Sequence, residues 1–227
     1  NQYRPKGDDF IYYREKDGLA NDVVYGILED RQHHLWISTN RGLSRFSLRT
    51  RTFHNYDVRD GLQSNEFNAG AYCQDPNGFF YFGGINGFNG FDPDQITDND
   101  FIPPIVFTDF LILNKSVPIS DRSVLKQDLN FTKKLVLNYT DTIFAIEFSA
   151  LNYRQPEKNR YRYMLEGFDK DWIETDHTNR RATYTNLSNG SYIFRVIASN
   201  DDGRWNEDGI SLAIVILPPL WKRWWAY

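Results

Sequence analysis

Phe10, Asp17, Gly18 and Leu19 recur 43 positions later as Phe53, Asp60, Gly61 and Leu62. Asp30, Leu35, Trp36, Gly42, Leu43 and Phe46 recur 45 positions later as Asp75, Phe80, Tyr81, Gly87, Phe88 and Phe91. The slip of two falls in a loop. A period of about 40–45 residues made of short apolar runs is the spacing of one four-stranded propeller blade.

Alternation and turn residues place the strands within the repeat. VVYGILED (23–30) is expected nearest the propeller axis, with LWISTN (35–40), GLSRFSL (42–48) and TFHNYD (52–57) following outward. The next copy offers EFNAGAYCQD, FFYFGGI and GFNGFDP. DPNG at 75–78 is strong turn chemistry, because Pro presets φ and Gly tolerates φ > 0. DRQHHLW at 30–36 repeats that turn with His33 where the other copy has Gly78, a change able to alter one hairpin. A propeller closes with about four to eight blades, far more than this chain can supply. The repeats therefore read as the tail of a larger propeller, since an open meander would leave edges that invite aggregation.

FDPDQITDNDFIPPI (91–105), rich in Asp and Pro, reads as a linker. Beyond it come seven strand-like runs: 105–113, 134–139, 142–151, 160–167, 181–187, 190–200 and 210–217. Seven strands without a helical period describe an immunoglobulin-like or fibronectin-like β-sandwich. The fold class is therefore all-β, the last blades of a propeller followed by a sandwich. In RYRYMLEG, Tyr161, Tyr163 and Leu165 alternate with Arg162, Met164 and Glu166, as in a strand with one buried face. Asp169 and Asp171 follow Gly167 and read as turn acids that satisfy backbone N–H groups, ahead of any acid/base pair with Glu166.

Composition narrows the partners. The net charge is −4 with no block of Lys or Arg, so the electrostatic footprint for nucleic acid is missing. The single cysteine, Cys73, excludes a disulfide framework, and its strand-like setting suggests a buried, inert thiol. His33, His34, His54 and His177 lack metal-ligand spacing, and no phosphate cradle or nucleophile motif occurs. No cofactor, metal or catalytic residue is expected, and the chain reads as a non-enzyme.

Tyr161, Tyr163, Leu165, Gly167, Phe168, Asp169, Asp171 and Trp172 resemble the YxYxLxGFDxxW signature of the Y_Y_Y domain. YTNLSNGSYIFRVIASNDDGRW (184–205) and PPLW (218–221) match the rest of that pattern, with Ser188 and Asn189 where the family often has a proline pair. GLANDVVYGILEDRQHHLWISTNRGLSRF is similar to the two-component-regulator propeller repeat. The resemblance implies the periplasmic sensor region of a hybrid two-component system of the Bacteroidetes type. It further implies two propellers, a Y_Y_Y sandwich, a membrane helix, and then a cytoplasmic histidine kinase, receiver and DNA-binding module.

Three segments follow from this reading: propeller blades and linker at 1–103, the sandwich at 104–219, and a membrane-proximal start at 220–227. LPPLWKRWWAY (217–227) agrees, because Trp and Tyr favour the membrane boundary and basic side chains reach head groups. The expected partners are an oligosaccharide ligand, a second copy through the sandwich, and the membrane through the C-terminal segment. A propeller ligand would meet the loops at the top of the innermost strands, which nominates Asn21, Asp22, Asn65, Glu66 and Asn68. In SNDDGRW, Arg204 and Trp205 form a second candidate, able to hold a sugar or a partner. A glycan-active enzyme would instead need carboxylates near the axis, where only Asp22 and Glu66 are available, and an adhesion or scaffold module would need neither.

Overall fold

A computed structural model describes residues 1–5, 7–141 and 143–219. The chain divides into two compact units, Asn1–Asp98 and residue 99 onward. The expected start of a membrane-proximal segment at 220–227 lies outside the described residues.

The first unit is a series of antiparallel meanders. β1 (Gln2–Arg4) pairs with β2 (Asp9–Ile11). β3 (Val24–Glu29), β4 (His34–Thr39), β5 (Gly42–Ser47) and β6 (Thr52–Tyr56) form a four-stranded sheet in that order. β7 (Phe67–Gln74), β8 (Phe80–Gly84) and β9 (Gly87–Phe91) form a three-stranded sheet. The short β1–β2 hairpin escapes sequence reading, yet it keeps the repeat. Tyr3 faces Phe10 across it as Phe46 faces Phe53 across β5 and β6, each residue 43 positions on. The hairpin thus occupies the outer half of a blade that precedes β3.

Alternation along β4 explains how that strand is buried on both faces. Trp36 joins Leu43, Phe67, Phe80 and Phe82 in one apolar cluster, while Ile37 joins Leu19 and Phe46 in another. Trp36 stacks on Tyr56 at 5.3 Å and meets Phe91 at 4.9 Å, so rings from three strands close the space between the two sheets. Each fully buried aromatic of this kind contributes roughly 1.5–3 kcal/mol. The expectation of a buried Cys73 is corrected here: the thiol is exposed. It sits on β7, an edge strand of the three-stranded sheet, six of whose eight residues are exposed.

The second unit is a two-sheet sandwich. β10 (Ile105–Ile112), β11 (Lys115–Ser116), β13 (Ile143–Ala150) and β16 (Arg181–Thr185) make one sheet, in the order β11-β10-β13-β16. β12 (Lys134–Leu137), β14 (Arg160–Glu166), β15 (Ile173–Asp176), β17 (Gly190–Ser199) and β18 (Trp205–Ile216) make the other, in the order β12-β18-β17-β14-β15. β11 and β15 add to the seven strands read from sequence, and β18 begins five residues before the apolar run that announces it. Phe144, Ile146 and Phe148 of β13 meet Leu165, Phe194, Leu212 and Ile214 in one core. A bulge between Phe107 and Asp109 switches the inward parity of β10 from Phe107 to Phe110. A second bulge, between Val196 and Ala198, is made possible by Gly209 at φ 58°, where a Cβ would fall 2.2 Å from the Val196 carbonyl oxygen.

Candidate functional site

The loop before β3 is held by its own side chains. A single 3-10 turn, Glu15–Asp17, ends at Gly18, whose φ is 106°. Asp17 accepts the Arg14 backbone N–H at 2.9 Å, and Asp22 accepts that of Glu15 at 2.9 Å. Asn21 accepts the Val23 N–H and donates to Glu15. The loop before β7 repeats these roles 43 positions later. There Asp60 accepts from Asp57 N, Asn65 from Val58 N, and Ser64 from Glu66 N. Three of the five propeller-loop residues nominated as ligand contacts, Asn21, Asp22 and Asn65, therefore fasten turns. Glu66 and Asn68 are exposed beside and on β7. No hydrogen bond among the described residues joins the two groups.

Residues that sequence reading did not single out anchor these loops to the sheets. In the first copy Ala20 N donates to Ser44 Oγ, which donates to Asn55, which donates to the Gly18 carbonyl. In the second copy Asn89 does both tasks, accepting Gln63 N at 2.8 Å and donating to the Gly61 carbonyl at 3.1 Å. Ser44 and Asn89 are 45 apart, so the repeat spacing itself was the available signal.

At the opposite end of the blade, an open groove of about 570 Å³ is lined by Gln32, His33, His34, Ser47, Leu48 and Arg49. It contains none of the nominated residues. His33 Nδ1 lies 2.6 Å from Glu29, and His34 Nδ1 lies 3.1 Å from Asp30. Asp30 Oδ1 accepts the N–H groups of Gln32 and His34, and Oδ2 accepts the Trp36 indole N–H. Burial alone would raise the Asp30 carboxyl, but the hydrogen bonds from His34 and Trp36 and the nearby imidazole hold it below the ordinary carboxylate value. Asp75 repeats the turn half of this arrangement, accepting from Asn77 N and Phe79 N. His33 takes φ 63° where Gly78 takes 93°, so the hairpin keeps its shape and the histidine bears the left-handed conformation.

In the sandwich, Glu166, Asp169 and Asp171 do not gather into an acid/base site. Glu166 pairs with Arg195 at 3.0 Å. Asp169 Oδ2 accepts the Leu165 N–H at 2.7 Å and the Tyr184 hydroxyl at 2.8 Å, closing the turn as its sequence position implies. Arg204 donates to Asp100 at 2.6 Å. The Arg162 guanidinium lies over the Trp205 ring at 4.4 Å while bonding Glu174, so one indole face is already covered.

The Y_Y_Y domain model matches residues 152–217, and the two component regulator propeller model matches residues 18–41. The chain joins two-component-regulator propeller blades to a Y_Y_Y domain. It is 38% identical over 214 residues to Histidine kinase P4 of Formosa agariphila, covering 94% of this chain and 16% of that protein. It is also similar to the extracellular domain of the putative hybrid two component system BT3049 from B. thetaiotaomicron. That likeness has 29% identity and a TM-score of 0.79, over 95% of this chain and 29% of the other. A further extracellular domain, of the putative hybrid two component system BT4673 from B. thetaiotaomicron, aligns at 28% identity with a TM-score of 0.50. That alignment covers 86% of this chain and 25% of the other. The chain therefore spans about a sixth of its curated relative and under a third of these solved chains. Neither matched family is a catalytic one, and the Y_Y_Y segment begins and ends within the sandwich. Among the described residues, no helix is long and apolar enough to cross a membrane.

Proposed function

We propose that this chain is the membrane-proximal part of a periplasmic sensor that reports oligosaccharide binding to a histidine kinase. The observation that carries the reading is the joining of propeller blades to a Y_Y_Y sandwich in one chain that aligns with an extracellular two-component domain over 95% of its length. In this reading the ligand meets the propeller, two sandwiches pair as a homodimer, and the C-terminal segment enters the inner membrane. A ligand can drive such a device only by favouring one arrangement of the paired sandwiches, and reversing a 1:99 bias takes about 5.5 kcal/mol of differential binding.

Glu66 and Asn68 are the nominated residues whose side chains stay available to a ligand. Asp22 is held by Glu15 N, with Arg14 3.7 Å away, which argues against a carboxylate pair of Asp22 and Glu66 performing hydrolysis. The test is titration of the whole receptor, in membranes, with digests of laminarin, alginate and pectin while kinase autophosphorylation is followed. Saturable binding with changed phosphorylation supports the sensor. Turnover of a digest would favour an enzyme, and the absence of both binding and response would overturn the glycan reading.

A further inference from the structure

The stretch SNDDGRW, nominated as a ligand loop, is instead built around the chain that leads into the sandwich. Residues 99–104 cannot pair as a strand throughout, because Pro103 and Pro104 have no N–H to donate. Side-chain amides take over the task. Asn200, 1% exposed, donates from Nδ2 to the carbonyls of Asn99 (2.6 Å) and Phe101 (2.8 Å). Its Oδ1 accepts the N–H groups of Asp202 and Arg204, which closes the β17–β18 hairpin. Both ends of one amide are thus occupied, one by the hairpin and one by the lead-in segment.

Neighbouring residues repeat the tie. Asp202 accepts Asn99 N at 2.5 Å, and Asn206 donates to the Pro103 carbonyl at 2.9 Å. The Asp201 carboxylate, 2% exposed, accepts from Asn99 Nδ2 at 2.8 Å and Asn152 Nδ2 at 2.9 Å, with Arg154 3.7 Å away. Asn152 is in turn bonded to buried Asn159. Buried polar groups satisfied in this way rigidify what they join, since opening any one of them strands another. The hairpin held by these bonds is also the start of β18, which runs twelve residues through the sheet and ends at Ile216. The strand that leaves the sandwich therefore begins at the point where the incoming chain is fastened.

We propose that Asn200, Asp201 and Asn206 are positioning residues of a relay joint, which makes the lead-in segment and β18 move as one body and delivers displacement at residue 99 to the C-terminal end of the sandwich. This rests on the sensor reading, and its test has a part that does not. Hydrogen exchange on the chain carrying Asn200→Ala is expected to accelerate at the amides of Asn99, Asp202 and Arg204 together, by more than about tenfold, with Ile146 and Phe194 unchanged. Asn206→Ala, which removes the Pro103 tie and the acceptor of the Gly209 N–H but leaves the turn closed by Asn200 intact, is expected to accelerate the same set less. In the full-length receptor, ligand-free autophosphorylation is expected to change at least about fivefold in both variants. Accelerated exchange with unaltered phosphorylation overturns the relay, and exchange at Asn99 that ignores both variants overturns the joint. A wild-type receptor with no phosphorylation contradicts the sensor reading instead, and exchange alone then decides the joint.

Discussion

The Trp36 indole N–H donates to Asp30 Oδ2 at 2.9 Å, deep between the two propeller sheets, while the other oxygen of Asp30 holds the β3–β4 turn. Asp75 has only the turn to hold, because Tyr81 stands where Trp36 does in the other copy. Asp30→Ala is expected to destabilise the first unit by about 2–4 kcal/mol, since it strands a buried indole donor, and Asp75→Ala by about 1 kcal/mol. Urea unfolding followed by tryptophan fluorescence measures both. Because the folded Asp30 carboxyl lies below its ordinary value of 3.8, its contribution is present above that pH and is lost on acidification through the folded value. Asp30→Asn should flatten that acid limb.

Gly42 and Gly87 are repeat equivalents, with φ of 97° and 113°. A Cβ at Gly42 would lie 2.1 Å from the Tyr56 carbonyl oxygen on β6, whereas one at Gly87 meets nothing within 4 Å. Among the described residues the three-stranded sheet has no fourth strand beside β9, which is why the second position is open. Gly87→Ala should therefore cost only the left-handed penalty, about 1–2 kcal/mol, and Gly42→Ala more than about 3 kcal/mol. Equal midpoints in thermal unfolding would contradict this difference.

His33→Gly is expected to be neutral or to stabilise by up to about 1 kcal/mol. It removes a left-handed β-carbon. The His33–Glu29 contact it also removes is exposed on both sides and is worth little. Thermal unfolding of the single variant decides the sign.

Tyr184 should govern part of the alkaline limit. Burial first, then its hydrogen bond and proximity to Asp169, push the hydroxyl far above the ordinary value of 10.0. The folded state keeps a proton that the unfolded state gives up, so this contribution is intact below pH 10 and declines as pH rises beyond it. Tyr184→Phe is expected to cost about 1 kcal/mol at neutral pH and to shallow the alkaline decline. Tyr163, raised by burial and by Asp169, keeps a residual slope. Urea unfolding at several pH values above 9 tests it.

The blades were legible because repeat spacing doubles every local signal. Phe46 with Phe91 and Trp36 with Tyr81 fix a register that neither copy fixes alone. Strands without that support were missed: β1 and β2 are three residues each, β11 two, and β15 lacks an apolar alternation. Trp205 to Gly209 escaped the reading of β18 because WNEDG has no buried face to announce it. The nominated loop residues were found through their polarity, which marks turn-forming and ligand-binding side chains alike. Only the partner atoms separate the two, as Asp22 with Glu15 N and Asn65 with Val58 N demonstrate. The joint of Asn99 with Asp201 was invisible for another reason: its members lie about a hundred residues apart and have no periodicity.

If ligand occupancy is transmitted by rearranging paired sandwiches, as proposed, the separation of the two sandwiches changes on binding. Spin labels at Phe131→Cys, an exposed site, in a Cys73→Ser receptor reconstituted in membranes, report the distance between two sandwiches. With an oligosaccharide digest that changes kinase phosphorylation, the account expects the distance distribution to shift between two populations. Bound oligosaccharide and altered phosphorylation with an unmoved distribution would contradict it.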